Sequence, residues 1–110
     1  MGRTADAAAH YAEAVRVNPG LAAAHYNWGN LLAGEGRFAE AEARFAEAVR
    51  LAPEDVEARN NLGLAVGLQG RWEEAAAIFR RVLAAAPGHA RARENLARAL
   101  RELGQKAPPP

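Results

Sequence analysis

Apolar residues in the middle of the chain return at three- and four-residue steps. Phe38, Ala41, Phe45, Ala48 and Val49 form one stripe when wound as an α-helix, with Glu40, Arg44 and Glu47 between them. That pattern marks an amphipathic helix with one face on a core. Breakers divide the chain into similar pieces. Gly36-Arg37 and Gly70-Arg71 each end one helix and open the turn to the next, and Pro53 and Pro87 each stop a helix. The pattern predicts six helices, at about 4–17, 22–34, 38–51, 56–68, 72–85 and 90–103. β-Branched residues such as Val15, Val17 and Val49 are too scattered for a sheet. The expected class is all-α.

The pieces repeat. Gly29 pairs with Gly63, Gly36 with Gly70, Phe38 with Trp72, Ala41 with Ala75, Phe45 with Phe79 and Pro53 with Pro87, each pair 34 residues apart. The same step backward aligns Ala7, Tyr11, Ala14 and Pro19 with Ala41, Phe45, Ala48 and Pro53. Forward, it aligns Leu96, Ala97 and Gly104 with Leu62, Gly63 and Gly70. A fixed period of this length means a stacked repeat architecture in which each unit buries its apolar face on its neighbours. Gly29 and Gly63 fall inside predicted helices, where glycine costs about 1 kcal/mol relative to alanine. Such positions imply a close approach by a second helix, with Ala41 and Ala75 as small partners.

These residues resemble the tetratricopeptide repeat family. Its pattern appears as Trp28-Gly29, Leu32, Ala41, Phe45, Ala48 and Pro53 in residues 22–55, and as Leu62-Gly63, Val66, Ala75, Phe79, Val82 and Pro87 in residues 56–89. His25 and Arg59 fill the first large-residue position, Trp28 replaces the usual Leu, and Val82 replaces the small Ala. The resemblance implies a helix–turn–helix solenoid wound as a right-handed superhelix over residues 1–104. Residues 4–21 would be a half repeat, 22–55 and 56–89 full repeats, and 90–104 a closing half repeat. Residues 105–110, ending Pro108-Pro109-Pro110, would be an extended tail or linker.

In that family the first (A) helix of each pair lines a concave face, which binds other polypeptides. Asn27, Asn61 and Asn95 recur there at the repeat period. An asparagine amide both donates and accepts, so a ladder of them could hold a peptide backbone without demanding a sequence. It is similar to the asparagine ladder in the repeat arm of O-linked N-acetylglucosamine transferases. The same residues could instead bridge neighbouring helices. Tyr26, Asn30, Asn60, Leu64, Glu94 and Arg98 occupy the other ligand-facing positions. Arg91, Arg98 and Arg101 make the C-terminal end of the groove basic, which suits an extended, partly acidic peptide. The chaperone-tail clamp of the family is incomplete. Asn30, Asn61 and Arg91 match it, but Tyr26 stands where it has Lys and Asn95 where it has a second basic residue, so that ligand is not expected.

Composition removes most chemistry. There is no cysteine and no serine, and Thr4 carries the one aliphatic hydroxyl. Thiolate metal sites, disulfides and serine or cysteine nucleophiles are therefore excluded. His10, His25 and His89 have no metal-binding spacing; His25 reads as a core histidine and His89 as a turn residue. Glu54-Asp55 and Glu73-Glu74 sit where helices begin and complement the helix dipole. No enzyme activity, cofactor or metal is expected. A net charge of +1 gives no push toward nucleic acid or membrane. No apolar run could span a bilayer and no signal peptide follows Met1, so the expected location is cytoplasmic.

The charge is uneven, with 5 Arg against 8 acids in residues 1–55 and 9 Lys+Arg against 5 acids in residues 56–110. The two end helices are halves of one unit. Leu96, Leu100 and Leu103 at one end and Tyr11 at the other could meet head to tail in a homo-oligomer. The function expected is a protein-interaction module that takes an extended peptide on its A helices. The alternatives are a self-assembling scaffold and the substrate-recognition arm of a larger enzyme such as a glycosyltransferase.

Overall fold

The computed structural model describes residues 2–106, with side chains from 5 to 105. Six helices follow one another: α1 Gly2–Val17, α2 Ala22–Gly34, α3 Phe38–Leu51, α4 Val56–Gly67, α5 Trp72–Ala85 and α6 Ala90–Lys106. Helices α2, α4 and α6 begin 34 residues apart, as do α3 and α5. The fold is an all-α solenoid of paired helices among the described residues.

Two glycines make the turns. Gly36 has φ 76° and Gly70 φ 91°, a region where a side chain would strain the backbone. At the end of α2, the Gly36 N–H bonds the Ala33 carbonyl at 3.0 Å and the Arg37 N–H bonds the Leu32 carbonyl at 2.9 Å. This double closure satisfies carbonyls the helix leaves open. Gly104, in the same register, does not break α6, which runs through it to Lys106 without a positive φ. Gln105 and Lys106 are accordingly helical rather than part of a tail. Residues 107–110 of the expected tail lie outside the described residues.

The helix starts are uneven. Asp55 caps α4 through bonds from the Glu57 and Ala58 N–H groups, at 3.0 and 3.2 Å. His89 does the same for α6, its Nδ1 accepting from the Ala92 N–H at 3.0 Å. Leu21, in the same register, gives α2 no side-chain cap.

Each helix packs on its neighbours in the chain, and α2, α4 and α6 also touch in succession. The result is a slab of 53 × 31 × 18 Å. Its core is two clusters rather than one. Leu32, Ala41, Phe45 and Ala65 form the first; Val66, Trp72, Ala75, Ala76, Phe79 and Ala99 form the second, and Leu62 borders both. Burying Phe45 and Phe79 contributes about 1.5–3 kcal/mol each. The small residues Ala41 and Ala75 are buried as expected, but Gly29 and Gly63 make room for aromatic rings. A Cβ on Gly29 would lie 2.6 Å from Phe45 Cε1, and one on Gly63 2.6 Å from Phe79 Cε1.

The two clusters are tied across their seam. The Arg71 guanidinium at the start of α5 reaches back to Glu42 on α3, at 2.8 and 3.1 Å, and also holds Glu74. Gln69 Nε2 donates to the same Glu42 at 2.7 Å. The Arg71 and Gln69 bonds hold the Glu42 carboxyl below its ordinary range against the opposing effect of burial.

Candidate functional site

Helices α2, α3, α4 and α6 enclose an open cavity of about 440 Å³. Phe38, Phe45, Ala33, Ala65, Leu64 and Leu68 give it an apolar lining, with Asn30, Asn61 and Arg91 as its polar groups. It crosses from one repeat to the next because the A helices lie side by side. An apolar floor with a few placed polar groups is the usual makeup of a binding site.

The three ladder asparagines have different surroundings. Asn61 Nδ2 donates to Asn30 Oδ1 at 2.9 Å and to Tyr26 OH at 3.3 Å, both on the preceding A helix. Asn95 Nδ2 donates to Asn60 Oδ1 at 3.2 Å, one repeat further on. Asn27 is exposed on α2, the first A helix among the described residues. Two of the three amides therefore brace adjacent A helices, and each keeps a carbonyl oxygen as an acceptor. Tyr26 leans on the core ring of Phe45, with centroids 6.1 Å apart.

Asn60 is a correction. Only 2 % of it is exposed, so it belongs to the interior of α4 and cannot present its amide to a ligand. Neighbouring positions on a helix point about 100° apart, and at 60 and 61 it is Asn61 that faces the cavity.

Two of the three arginines at the C-terminal end, Arg91 and Arg98, are engaged too. Arg91 pairs with Glu57 Oε1 on α4, and Glu57 Oε2 lies 2.9 Å from His89 Nε2. Because His89 Nδ1 accepts the Ala92 N–H, the ring proton sits on Nε2 and is donated to Glu57. Arg98 stacks on Trp72, its Cζ 5.3 Å from the ring centroid. Arg101 and Glu94 are exposed on α6. The contribution of Glu57 and His89 went unread in the sequence. Positions 23, 57 and 91 share one register, and tabulating them as Ala, Glu, Arg would have exposed an opposite-charge pair on adjacent helices.

His25 is buried, as expected. Its Nε2 donates to the Pro19 carbonyl at 3.0 Å, while Nδ1 accepts from Arg44 at 3.2 Å. Arg59 and Arg93 repeat this bond, each reaching the carbonyl of Pro53 or Pro87 at 2.8 Å. Among the described residues no three His, Asp or Glu side chains gather as a metal site, and no helix is long and apolar enough to cross a membrane.

The end helices also differ from expectation. Leu96 and Leu103 pack on the chain's own core, so they are not free to form a separate surface. Leu100 is 46 % exposed and Tyr11 is half-buried. If α1 of a second copy sat on α6 as α5 sits on α4, Tyr11 would take the place of Phe79 and Ala97 that of Gly63. A Cβ in that place meets the ring at 2.6 Å, so such a contact needs a shift of Tyr11 or of α6.

A family model described as tetratricopeptide repeat matches residues 26–90 and again residues 68–107. No curated protein matches the sequence significantly. Among solved structures, the TPR domain of Arabidopsis OM64 is similar at 26% identity and a TM-score of 0.82, over 89% of this chain and 81% of that one. The first TPR domain of Spaghetti (RPAP3), solved bound to the HSP90 peptide SRMEEVD, is similar at 24% identity and a TM-score of 0.88. That match covers 94% of this chain and 82% of the other.

Proposed function

The chain belongs to the tetratricopeptide repeat family, and from that premise we propose that it is a non-catalytic module whose A helices receive an extended segment of another protein. The observation that carries this reading is the cavity spanning α2, α4 and α6, with an aromatic and aliphatic floor and amides at its rim. The floor takes side chains by burial, while the amides of Asn30 and Asn61 offer hydrogen bonds to a peptide backbone. The peptide bound to the Spaghetti domain supports it, since that domain shares this fold. Affinity should be micromolar, about −8 kcal/mol.

The test is selection of binders from a displayed library of 12-residue peptides, followed by titration of a selected peptide into isotopically labelled protein. Chemical-shift changes should cluster on the residues that line the cavity, Asn30, Asn61, Leu64 and Arg91 among them. Changes confined to the outer residues of α3 and α5 would refute the groove.

A further inference from the structure

Resting on the groove reading above, we propose that Glu57 is a specificity-determining residue that turns the groove away from acidic segments. Arg91 is the one charged side chain lining the cavity among the described residues. Left alone, it would favour a ligand carboxylate. Its guanidinium instead holds Glu57 Oε1, and His89 Nε2 holds Glu57 Oε2 at 2.9 Å. The His89 ring is itself pinned by the α6 backbone, through the Ala92 N–H at 3.0 Å. Glu57 thus has both oxygens engaged at the start of α6, by Arg91 in its first turn and by His89, which caps it.

The arrangement follows from the repeat. Residues 57 and 91 occupy the same register on adjacent A helices, so their side chains emerge next to each other in the first turns of α4 and α6. Glu57 is favourable at the positive start of α4, whereas Arg91 at the start of α6 is not. The pair relieves that conflict. The rest of the lining is amide or apolar, which leaves a groove with little net charge where the sequence suggested a basic one.

A ligand carboxylate reaching the remaining N–H groups of Arg91 finds a cation already matched by Glu57 and sits beside that carboxylate's charge. The Arg91 and Glu57 side chains are 62% and 44% exposed, so the pair is worth at most about 1 kcal/mol. That sets the discrimination at roughly fivefold against an acidic side chain at this point. Neutral segments are untouched.

The experiment pans the same displayed 12-residue library against the wild type, Glu57→Gln, Arg91→Gln and the double variant, each checked for folding by circular dichroism. Wild-type selections should be neutral on average. Glu57→Gln should enrich acidic peptides and bind them roughly fivefold tighter than the wild type does. Arg91→Gln should move the selections toward basic peptides, and the double variant should return them to neutral. Selections of the same mean charge on all four proteins would overturn the proposal while leaving the groove in place. So would a gain by Glu57→Gln that the double variant keeps. No enrichment on any of them would overturn both.

Discussion

Phe79 lies over Gly63 so closely that a β-carbon there would stand 2.6 Å from its Cε1 atom and 3.0 Å from Ile78 Cγ2. The ring is fully buried and cannot swing aside. Gly63→Ala gains about 1 kcal/mol of helix propensity but overpacks a filled core, which costs about 1–3 kcal/mol, so the net effect should be a loss of stability. Gly34, with nothing within 4 Å of its virtual Cβ, is the control. Gly34→Ala should be neutral or stabilising, and urea unfolding of the two variants checks the difference.

Leu21 stands at the start of α2 in the register where Asp55 and His89 cap α4 and α6. Its backbone, at φ −87° and ψ 93°, already has the extended geometry of a cap. Leu21→Asp should add about 1 kcal/mol, because a carboxylate there accepts N–H groups the helix leaves open and complements its dipole. A rise of several degrees in Tm is expected. No rise would mean that the half-exposed leucine contributes as much by packing as a cap would.

The Glu42–Arg71 tie gives the seam between repeats a pH dependence. The Arg71 hydrogen bond is the main cause of the lowered Glu42 carboxyl. A group depressed in the folded state stabilises fully above its unfolded value, and that stabilisation is lost as pH falls through the folded one. Wild type should therefore exceed Glu42→Gln in stability at neutral pH, and the gap should close in acid below the ordinary carboxylate range. Denaturant unfolding of both proteins across that range measures it.

The asparagines separate bracing from binding. Asn60→Ala strands the Asn95 amide and empties a buried site, which should cost about 1–3 kcal/mol. Asn27 is exposed, so Asn27→Ala should leave stability within about 0.5 kcal/mol. If the ladder touches ligand, Asn27→Ala weakens binding of a selected peptide severalfold at unchanged Tm. Unchanged affinity as well would remove Asn27 from the binding face.

Much of the fold was legible because its signals are local. Gly36 and Gly70 mark turns by backbone chirality, Pro53 and Pro87 stop helices by a missing N–H, and the 34-residue step aligns both pairs. Five of the six helices lie where that step places them or begin there: 22–34, 38–51 and 72–85 in full, and the helices starting at 56 and 90. The end of α6 was not legible: Gly104 shares the register of Gly36 and Gly70, yet the helix continues through it to Lys106. The register of a residue told which helix it sat on, but not what faced it.

The sequence by itself determined the helices, their period and the absence of nucleophilic thiol or serine chemistry, since all three follow from residue type and spacing. Tertiary structure alone decided that Asn60 is buried while Asn61 reaches the cavity, that Leu96 and Leu103 belong to the core, and that His89 joins Arg91 on Glu57. Each of these depends on which side chain of a neighbouring helix, some 30 residues away, occupies the adjoining space. Packing between repeats sets that distance, and no local pattern encodes it.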